Sequence, residues 1–131
     1  IPGREITVGI FQEQGMSVVE IIPQHGGFYD YRHKYTEGAS RYVCPAEIGL
    51  DKTQETVDAA SLAFRILGCK VYGRVDFRMN EDGELFFLEV NTIPGMTRHS
   101  LVPMSAAAVG MDFPELINQI VVASMNLQRE F

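Results

Sequence analysis

The chain has 131 residues, an apolar fraction of 46% and a formal net charge of −6. This length and composition suit one compact domain with a substantial hydrophobic core. The negative charge argues against broad binding to nucleic acids or anionic membranes. No apolar run reaches the roughly 18 residues of a membrane span. Cys44 and Cys69 are isolated, which predicts free thiols in a reducing cytoplasm.

The first part of the chain predicts a hairpin followed by a long loop. Residues 4–12 and 17–23 alternate apolar and polar side chains, as strands with one buried face do. Glu13-Gln14-Gly15 is the predicted turn between them. Residues 24–41 then form a loop, and a loop of this length in a compact domain is usually functional or disordered. Residues 42–44 are predicted to add a short strand.

A helix is predicted next, from Asp51 as N-cap to about Leu67, with Gly68 ending it. Its apolar positions recur at helical spacing and are expected to face the core. They are Val57, Ala60, Ala63, Phe64 and Leu67.

A second hairpin is predicted at about residues 70–91, with Asp82-Gly83 as a two-residue type I′ turn. Side chains alternate between the faces of a strand, so one face of this hairpin is wholly apolar and is expected to be core. In the predicted register this face carries Val75, Phe77 and Met79 against Val90, Leu88 and Phe86.

The other face of this hairpin carries polar groups that suit a metal ion. The same register sets Asp76 opposite Glu89 and Arg74 opposite Asn91. Like charges directly opposed on a sheet are destabilising, and a shared cation would relieve them. Magnesium prefers oxygen ligands, takes one or two carboxylates and completes its shell with water and substrate phosphates. The alternative is a solvated polar face that Arg74 and Arg78 neutralise.

Two helices are predicted to complete the fold. The first covers residues 101–109, and the second covers about 113–128, where Asp112 and Glu115 form a capping box. The predicted fold class is therefore α+β, with antiparallel β-hairpins packed against helices on one face. The polar face of the second hairpin is left for a ligand.

The loop after Asn91 offers two further candidates. Gly95 permits close backbone approach, so its N–H group could face a developing oxyanion. Ser100 precedes a helix whose first N–H groups would attract a carboxylate. The structural alternative is that Ser100 only caps the helix and Gly95 only forms a turn.

Several of these segments together resemble the D-alanine–D-alanine ligase family of ATP-grasp enzymes, which serves peptidoglycan synthesis and cell wall formation. The resemblance covers nearly the whole chain and implies that residues 1–131 form the C-terminal ATP-grasp subdomain. The segments that carry it are Gly73-Arg74-Val75-Asp76, Leu88-Glu89-Val90-Asn91-Thr92, Pro94-Gly95-Met96-Thr97 and His99-Ser100-Leu101-Val102-Pro103, with Gly3-Arg4-Glu5 and Tyr29-Asp30-Tyr31 through Lys34-Tyr35 upstream.

The resemblance implies which residues hold the nucleotide and its metal ions. Asp76, Glu89 and Asn91 would bind two Mg²⁺ ions, or Mn²⁺ in their place, that bridge the phosphates of ATP. Lys34 would reach the phosphates, and Glu5 would lie near the ribose.

The resemblance also implies which residues act on the substrates. Arg74 would contact the transferred phosphate or the acyl-phosphate, and Gly95 would supply an oxyanion donor. Tyr35 would sit in a mobile loop that closes over the site, and in this family a Tyr there accompanies dipeptide formation. Ser100 and the amide of Leu101 would hold the carboxylate of the second D-alanine.

The implied activity is ATP-dependent, ADP-forming ligation of two D-alanines through an acyl-phosphate, by a cytoplasmic enzyme that is a homodimer at full length. The family's N-terminal substrate domain and central ATP-gripping subdomain have no match here, so we expect the chain alone to be inactive. Two alternatives stay open. One is another ATP-grasp carboxylate–amine ligase, and the other is a non-catalytic module that binds magnesium or nucleotide.

Overall fold

A computed structural model describes residues 2–24 and 40–130. Five strands form one antiparallel sheet in the order β3-β2-β1-β4-β5. With three helices, this arrangement confirms the predicted α+β class with hairpins packed against helices. The elements are β1 (Arg4–Phe11), β2 (Gln14–Pro23), β3 (Ser40–Val43), α1 (Leu50–Ile66), β4 (Tyr72–Met79), β5 (Leu85–Asn91), α2 (Leu101–Ala108) and α3 (Phe113–Arg129).

The helices cover both faces of the sheet, so the prediction that they share one face is wrong. A Cβ atom built on Gly9 would meet Ser105 of α2, whereas one built on Gly73 would meet Phe64 of α1. Gly9 pairs with Arg74, so these two residues share a face of the sheet. Gly73 precedes Arg74 on the same strand, so a Cβ atom on Gly73 would lie on the opposite face. Burial on both sides explains why β1 is buried without interruption from Ile6 to Phe11.

Two hydrophobic clusters result, one on each side of the sheet. The larger cluster lies under α1 and includes Ile6, Val8, Ile10, Val18, Phe64, Val75, Phe77 and Met79. The smaller cluster joins the end of β1 to α2 and α3 and consists of Phe11, Val102, Ala106, Leu116 and Ile120. The second cluster covers only part of its face, which leaves room for a site beside it.

The first hairpin turns one residue earlier than predicted. Gln12 and Glu13 both have positive φ, at 50° and 65°, as a two-residue type I′ turn requires. Gly15, predicted to be in the turn, belongs to β2 instead. Its missing Cβ lets α1 approach, because a Cβ there would lie 2.8 Å from Val57 Cγ1.

The predicted helix caps have different outcomes. Asp112 is the N-cap of α3, and its carboxylate accepts from the backbone N–H of Glu115 at 3.0 Å, which confirms the predicted cap. The prediction of Asp51 as the N-cap of α1 is wrong, because α1 begins at Leu50 after Gly49. Gly49 has φ +82, a conformation that glycine adopts readily, and it has no side chain that could accept a hydrogen bond from the first N–H groups of the helix.

Candidate functional site

The second hairpin places the predicted polar residues on one face. Arg74 pairs with Asn91 and Asp76 pairs with Glu89, as the sequence predicted. The four side chains therefore project to the same face from two pairs of the β4–β5 ladder that are separated by the pair of Val75 with Val90. Directly opposed residues have Cβ atoms about 4.5–5.5 Å apart, so one ion can reach both carboxylates.

The tip of this hairpin differs from the predicted two-residue turn. Asn80 donates its N–H to the carbonyl of Glu84 at 3.1 Å and accepts from the N–H of Gly83 at 3.0 Å. Gly83 has φ +79, while Asp82 is not among the residues with positive φ. The loop thus has three residues and ends in a left-handed glycine, the next commonest hairpin connection after the two-residue turns.

A β-bulge at Leu88 compensates for the longer loop. Near the tip the pairing is shifted by one residue, so Phe77 faces Phe87 instead of Leu88. The extra residue restores the predicted register at Asp76. The prediction that Phe86 and Leu88 are core is wrong, because they are 37% and 49% exposed on an edge strand.

The carboxylate of Asp76 is held from two sides. Arg74 donates from Nε to Oδ1 at 2.9 Å and from Nη2 to Oδ2 at 3.0 Å. Thr7, paired with Asp76 across β1 and β4, donates its hydroxyl to Oδ1 at 2.6 Å. Burial alone would lower the pKa of Arg74, but the hydrogen bond to Asp76 and the charges of Asp76, Glu89 and Glu5 raise it above its usual value.

Thr7 was missed in the sequence. It is 1% exposed and is the polar member of the apolar run from Ile6 to Ile10. That position was a usable signal, but the partner of its hydroxyl depends on β1 lying beside β4. Glu5 lies two residues earlier on the same face of β1 and pairs with Arg78.

The donor set on this face fits magnesium. Asp76 and Glu89 supply two carboxylates and Asn91 supplies an amide oxygen, which also accepts from the N–H of Ile93 at 3.0 Å. Within residues 2–24 and 40–130, no three His, Cys, Asp or Glu side chains form a ready-made metal cluster. A site of two carboxylates suits magnesium, which leaves most of its shell to water and phosphate oxygens.

The loop after β5 is organised around Ser100. Its Oγ accepts from the N–H of Thr97 at 2.9 Å and lies 2.8 Å from Thr97 Oγ1. Ser100 stands at the N-cap position of α2, yet its hydroxyl makes no cap hydrogen bond to the helix. A Cβ on Gly95 would lie 3.2 Å from Ser100 Oγ, so glycine permits this packing. The guanidinium of Arg98 lies 5.0 Å from the ring centre of Phe113, which ties the loop to α3.

Two predicted site residues, Lys34 and Tyr35, lie outside the described residues. A cavity of about 290 Å³ lies near the tip of the second hairpin, between Asn80 and Lys52 of α1. Neither Asp76 nor Glu89 lines this cavity, so it is separate from the polar face.

Residues 1–122 match the family model described as "D-ala D-ala ligase C-terminus". The D-alanine–D-alanine ligase of Methylacidiphilum infernorum is 52% identical over 124 residues, which are 95% of this chain and 41% of that protein. The corresponding ligase of Dechloromonas aromatica is 47% identical over 126 residues, with 96% and 42% covered. The chain therefore spans about two fifths of the length of these relatives.

Solved structures agree with the sequence relatives. The D-alanine–D-alanine ligase from Bacillus anthracis, complexed with ATP, superposes with a TM-score of 0.81 at 33% identity, over 99% of this chain and 42% of that one. The VanG D-Ala:D-Ser ligase from Enterococcus faecalis superposes with a TM-score of 0.78 at 31% identity, over 94% and 36%.

Proposed function

Because this chain belongs to the D-ala D-ala ligase C-terminus family, we propose that it forms the metal-binding part of a ligase that joins two D-alanines with ATP. The observation that carries the proposal is the pairing of Asp76 with Glu89, beside the pair of Arg74 with Asn91. The ATP complex of the Bacillus anthracis relative supports the use of ATP.

Asp76, Glu89 and Asn91 would hold the Mg²⁺ ions, two in number as the resemblance implies. Bound there, magnesium would neutralise the negative charge of the phosphates during transfer. Arg74 would contact the transferred phosphate, because its planar guanidinium can donate two parallel hydrogen bonds to a phosphate as it does to Asp76. Glu5 would approach the ribose from the same face of the sheet.

The second substrate would bind at the start of α2. The hydroxyl of Ser100 is directed to Thr97, so it does not cap the first N–H groups of the helix, which include that of Leu101. Those groups attract anions, and a substrate carboxylate is such an anion. The N–H of Gly95 would face the oxyanion of the acyl group under attack.

The proposed reaction has two steps. The terminal phosphoryl group of ATP passes to the carboxylate of the first D-alanine, which gives an acyl-phosphate and ADP. The amine of the second D-alanine then attacks the acyl carbon, and phosphate leaves. Lys34 and Tyr35 remain predicted contributors, as a phosphate contact and as part of a loop that excludes water.

The metal assignment is tested by titrating ATP against the chain with and without Mg²⁺, followed by NMR. Asp76→Asn combined with Glu89→Gln should weaken the magnesium-dependent part of binding at least tenfold. Asp82→Asn combined with Glu84→Gln is the matched control, because it removes the same charges at the hairpin tip. If the first pair of substitutions leaves the affinity unchanged, the metal assignment is wrong.

The substrate is tested by measuring phosphate release with the full-length protein across D-alanine, D-serine and L-amino acids. We expect D-alanine to be preferred as both substrates. The structural similarity to the D-Ala:D-Ser ligase makes D-serine the second candidate for the amine position. The chain alone is expected to form no D-alanyl-D-alanine, and robust formation would contradict its assignment as only part of the centre.

We also propose a cytoplasmic location, since both cysteines are free thiols. Burial raises the pKa of the Cys44 thiol above its usual value, and the hydrogen bond with Ser17 offsets only part of this rise. Because the pKa is raised, the thiol is protonated at neutral pH. Within the described ranges, no helix has the length and hydropathy to cross a membrane. The homodimer implied by the resemblance stays a prediction.

A further inference from the structure

We propose that Thr7 is a positioning residue of this site, and that its hydrogen bond to Oδ1 holds the carboxylate of Asp76 so that Oδ2 is presented to a metal ion. The inference rests on the proposed function, because it assumes that Asp76 is a metal ligand. Thr7 itself would touch neither the metal nor the substrates.

The first step is the destination of the Thr7 proton. The hydroxyl has one proton to donate, and two acceptors lie near it. Oδ1 of Asp76 is 2.6 Å away and the carbonyl oxygen of Val75 is 3.3 Å away. The shorter contact joins the hydroxyl to a charged acceptor and is the stronger one.

The second step is the count of lone pairs on Asp76. Oδ1 accepts from Thr7 and from Nε of Arg74, which together use both of its lone pairs. Oδ2 accepts only from Nη2 of Arg74, at 3.0 Å, among the contacts of the described residues. In this arrangement one lone pair of Oδ2 is free, so Oδ2 is the oxygen that would accept a metal ion.

The third step concerns Arg74, which cannot contact Asp76 and the transferred phosphate with the same donors at once. In the present arrangement it grips both oxygens of Asp76, whereas the proposed reaction needs it on the transferred phosphate. When Arg74 turns away, Thr7 remains, because it is buried in the central strand and 1% exposed. Its hydrogen bond then keeps the carboxylate in place after the arginine has left.

The inference is tested by measuring the affinity of the chain for Mn²⁺ alone, as a paramagnetic substitute for Mg²⁺. Broadening of backbone amide signals in β4 and β5 gives the dissociation constant at this site. Thr7→Val keeps the shape of the side chain but removes the donor, and should weaken binding about 10–100-fold, as losing a partner of a metal ligand does. Thr7→Ser keeps the donor and should stay within about threefold of the wild type.

A matched control separates positioning from stability. Thr56 is also fully buried, and its hydroxyl donates to the carbonyl of Lys52 at 2.7 Å on α1. Thr56→Val should lower the free energy of unfolding without changing the Mn²⁺ affinity. Urea denaturation of every variant confirms that the comparison is made between folded proteins.

The possible outcomes distinguish failure of the positioning role of Thr7 from failure of the proposed metal site. If the wild type binds Mn²⁺ and Thr7→Val binds it equally well, the positioning role is wrong and the metal site stands. If Thr7→Ser loses as much affinity as Thr7→Val, the hydroxyl is not the operative group and the inference also fails. If the wild type shows no broadening near Asp76, both the metal assignment and the inference are wrong.

Discussion

At the scale of single residues, the attachment of α2 to the sheet depends on Ser105. This side chain is fully buried, donates to the carbonyl of Ser17 at 2.6 Å and accepts from the N–H of Gly9 at 3.2 Å. The β1–β2 pairing shifts at Gly9, between Val8 and Ile10, which takes its N–H out of the regular ladder. The Ser105 hydroxyl thus accepts the hydrogen bond from the Gly9 N–H group that β2 does not accept.

Ser105→Ala should therefore lower the free energy of unfolding by about 1–3 kcal/mol, because it leaves two buried backbone groups without this partner. Urea denaturation measures the change. Ser124→Ala, on a half-buried position of α3, is the control and should change the value by less than about 0.5 kcal/mol. Equal effects at both positions would mean that Ser105 contributes only its helix propensity.

How much of the site is predictable differs from residue to residue. The pairing of Asp76 with Glu89 was predicted correctly although the predicted turn was wrong, because the bulge at Leu88 restores the register that the three-residue loop shifts. The hydrogen bond from Thr7 to Asp76 joins residues 69 positions apart. It exists only because β1 lies beside β4, and strand order is a property of the whole sheet. The redirected hydroxyl of Ser100 was likewise beyond prediction, since capping and loop bonding compete for the same group.

At the scale of elements, the β1–β2 turn stores conformational strain. Gln12 and Glu13 both adopt left-handed backbone conformations, which cost non-glycine residues roughly 1–2 kcal/mol each. Glu13 also forms an exposed ion pair with Lys70 at 2.7 Å. The hydrogen bond from Lys70, followed by its charge, lowers the pKa of Glu13.

Replacing the turn by Gln12→Asn and Glu13→Gly should raise the free energy of unfolding by about 1 kcal/mol, because Asn-Gly is the preferred type I′ sequence. Thermal or urea unfolding measures the gain. Lys70→Gln is the control that removes the ion pair but keeps the turn, and it should have little effect because exposed pairs contribute little. A loss of stability in the double variant would show that the turn is not strained.

The sign of the pH dependence follows from the same pair. A lowered pKa of Glu13 means that its contribution is present above the ordinary value of 4.5 and is lost as the pH falls through the lowered pKa. Any difference between the wild type and Lys70→Gln should accordingly disappear on acidification.

Element boundaries were predictable where a side chain sets them. Asp112 caps α3 through a bond to Glu115 three residues away, which is a local pattern. The start of α1 has no such pattern, because Gly49 marks it by backbone conformation alone. The hairpin tip was mispredicted for a related reason. Asp-Gly suits both a two-residue turn and a three-residue loop that ends in glycine.

At the scale of the whole molecule, two cores of unequal size lie on opposite sides of the sheet. β1 is central and buried on both faces, whereas α3 packs chiefly against α2. Regions with few buried apolar contacts open locally before the rest of the fold. The molecule is therefore expected to have a stable centre and a less stable helical side.

Hydrogen exchange should show this gradient, with amides of β1 and β4 slowest and those of α3 fastest among the regular elements. Leu116 is fully buried in the smaller core, so Leu116→Ala should accelerate exchange in α3 and α2 more than in β1. Phe64→Leu, in the larger core, is the comparison and should affect the sheet. Uniform acceleration by both variants would indicate a single cooperative unit.

The β-bulge at Leu88 has a practical consequence for work on this protein. Leu85 to Phe87 pair with β4 in one register, and the residues from Glu89 onward pair in a register shifted by one residue. The length of the loop after Asn80 therefore does not alone determine which residues pair near Asp76. The exposed tip thereby becomes a suitable attachment point for a fluorophore, a spin label or an affinity tag. A reporter coupled at Asp82 could follow ligand binding while the alignment of the acidic pair is retained.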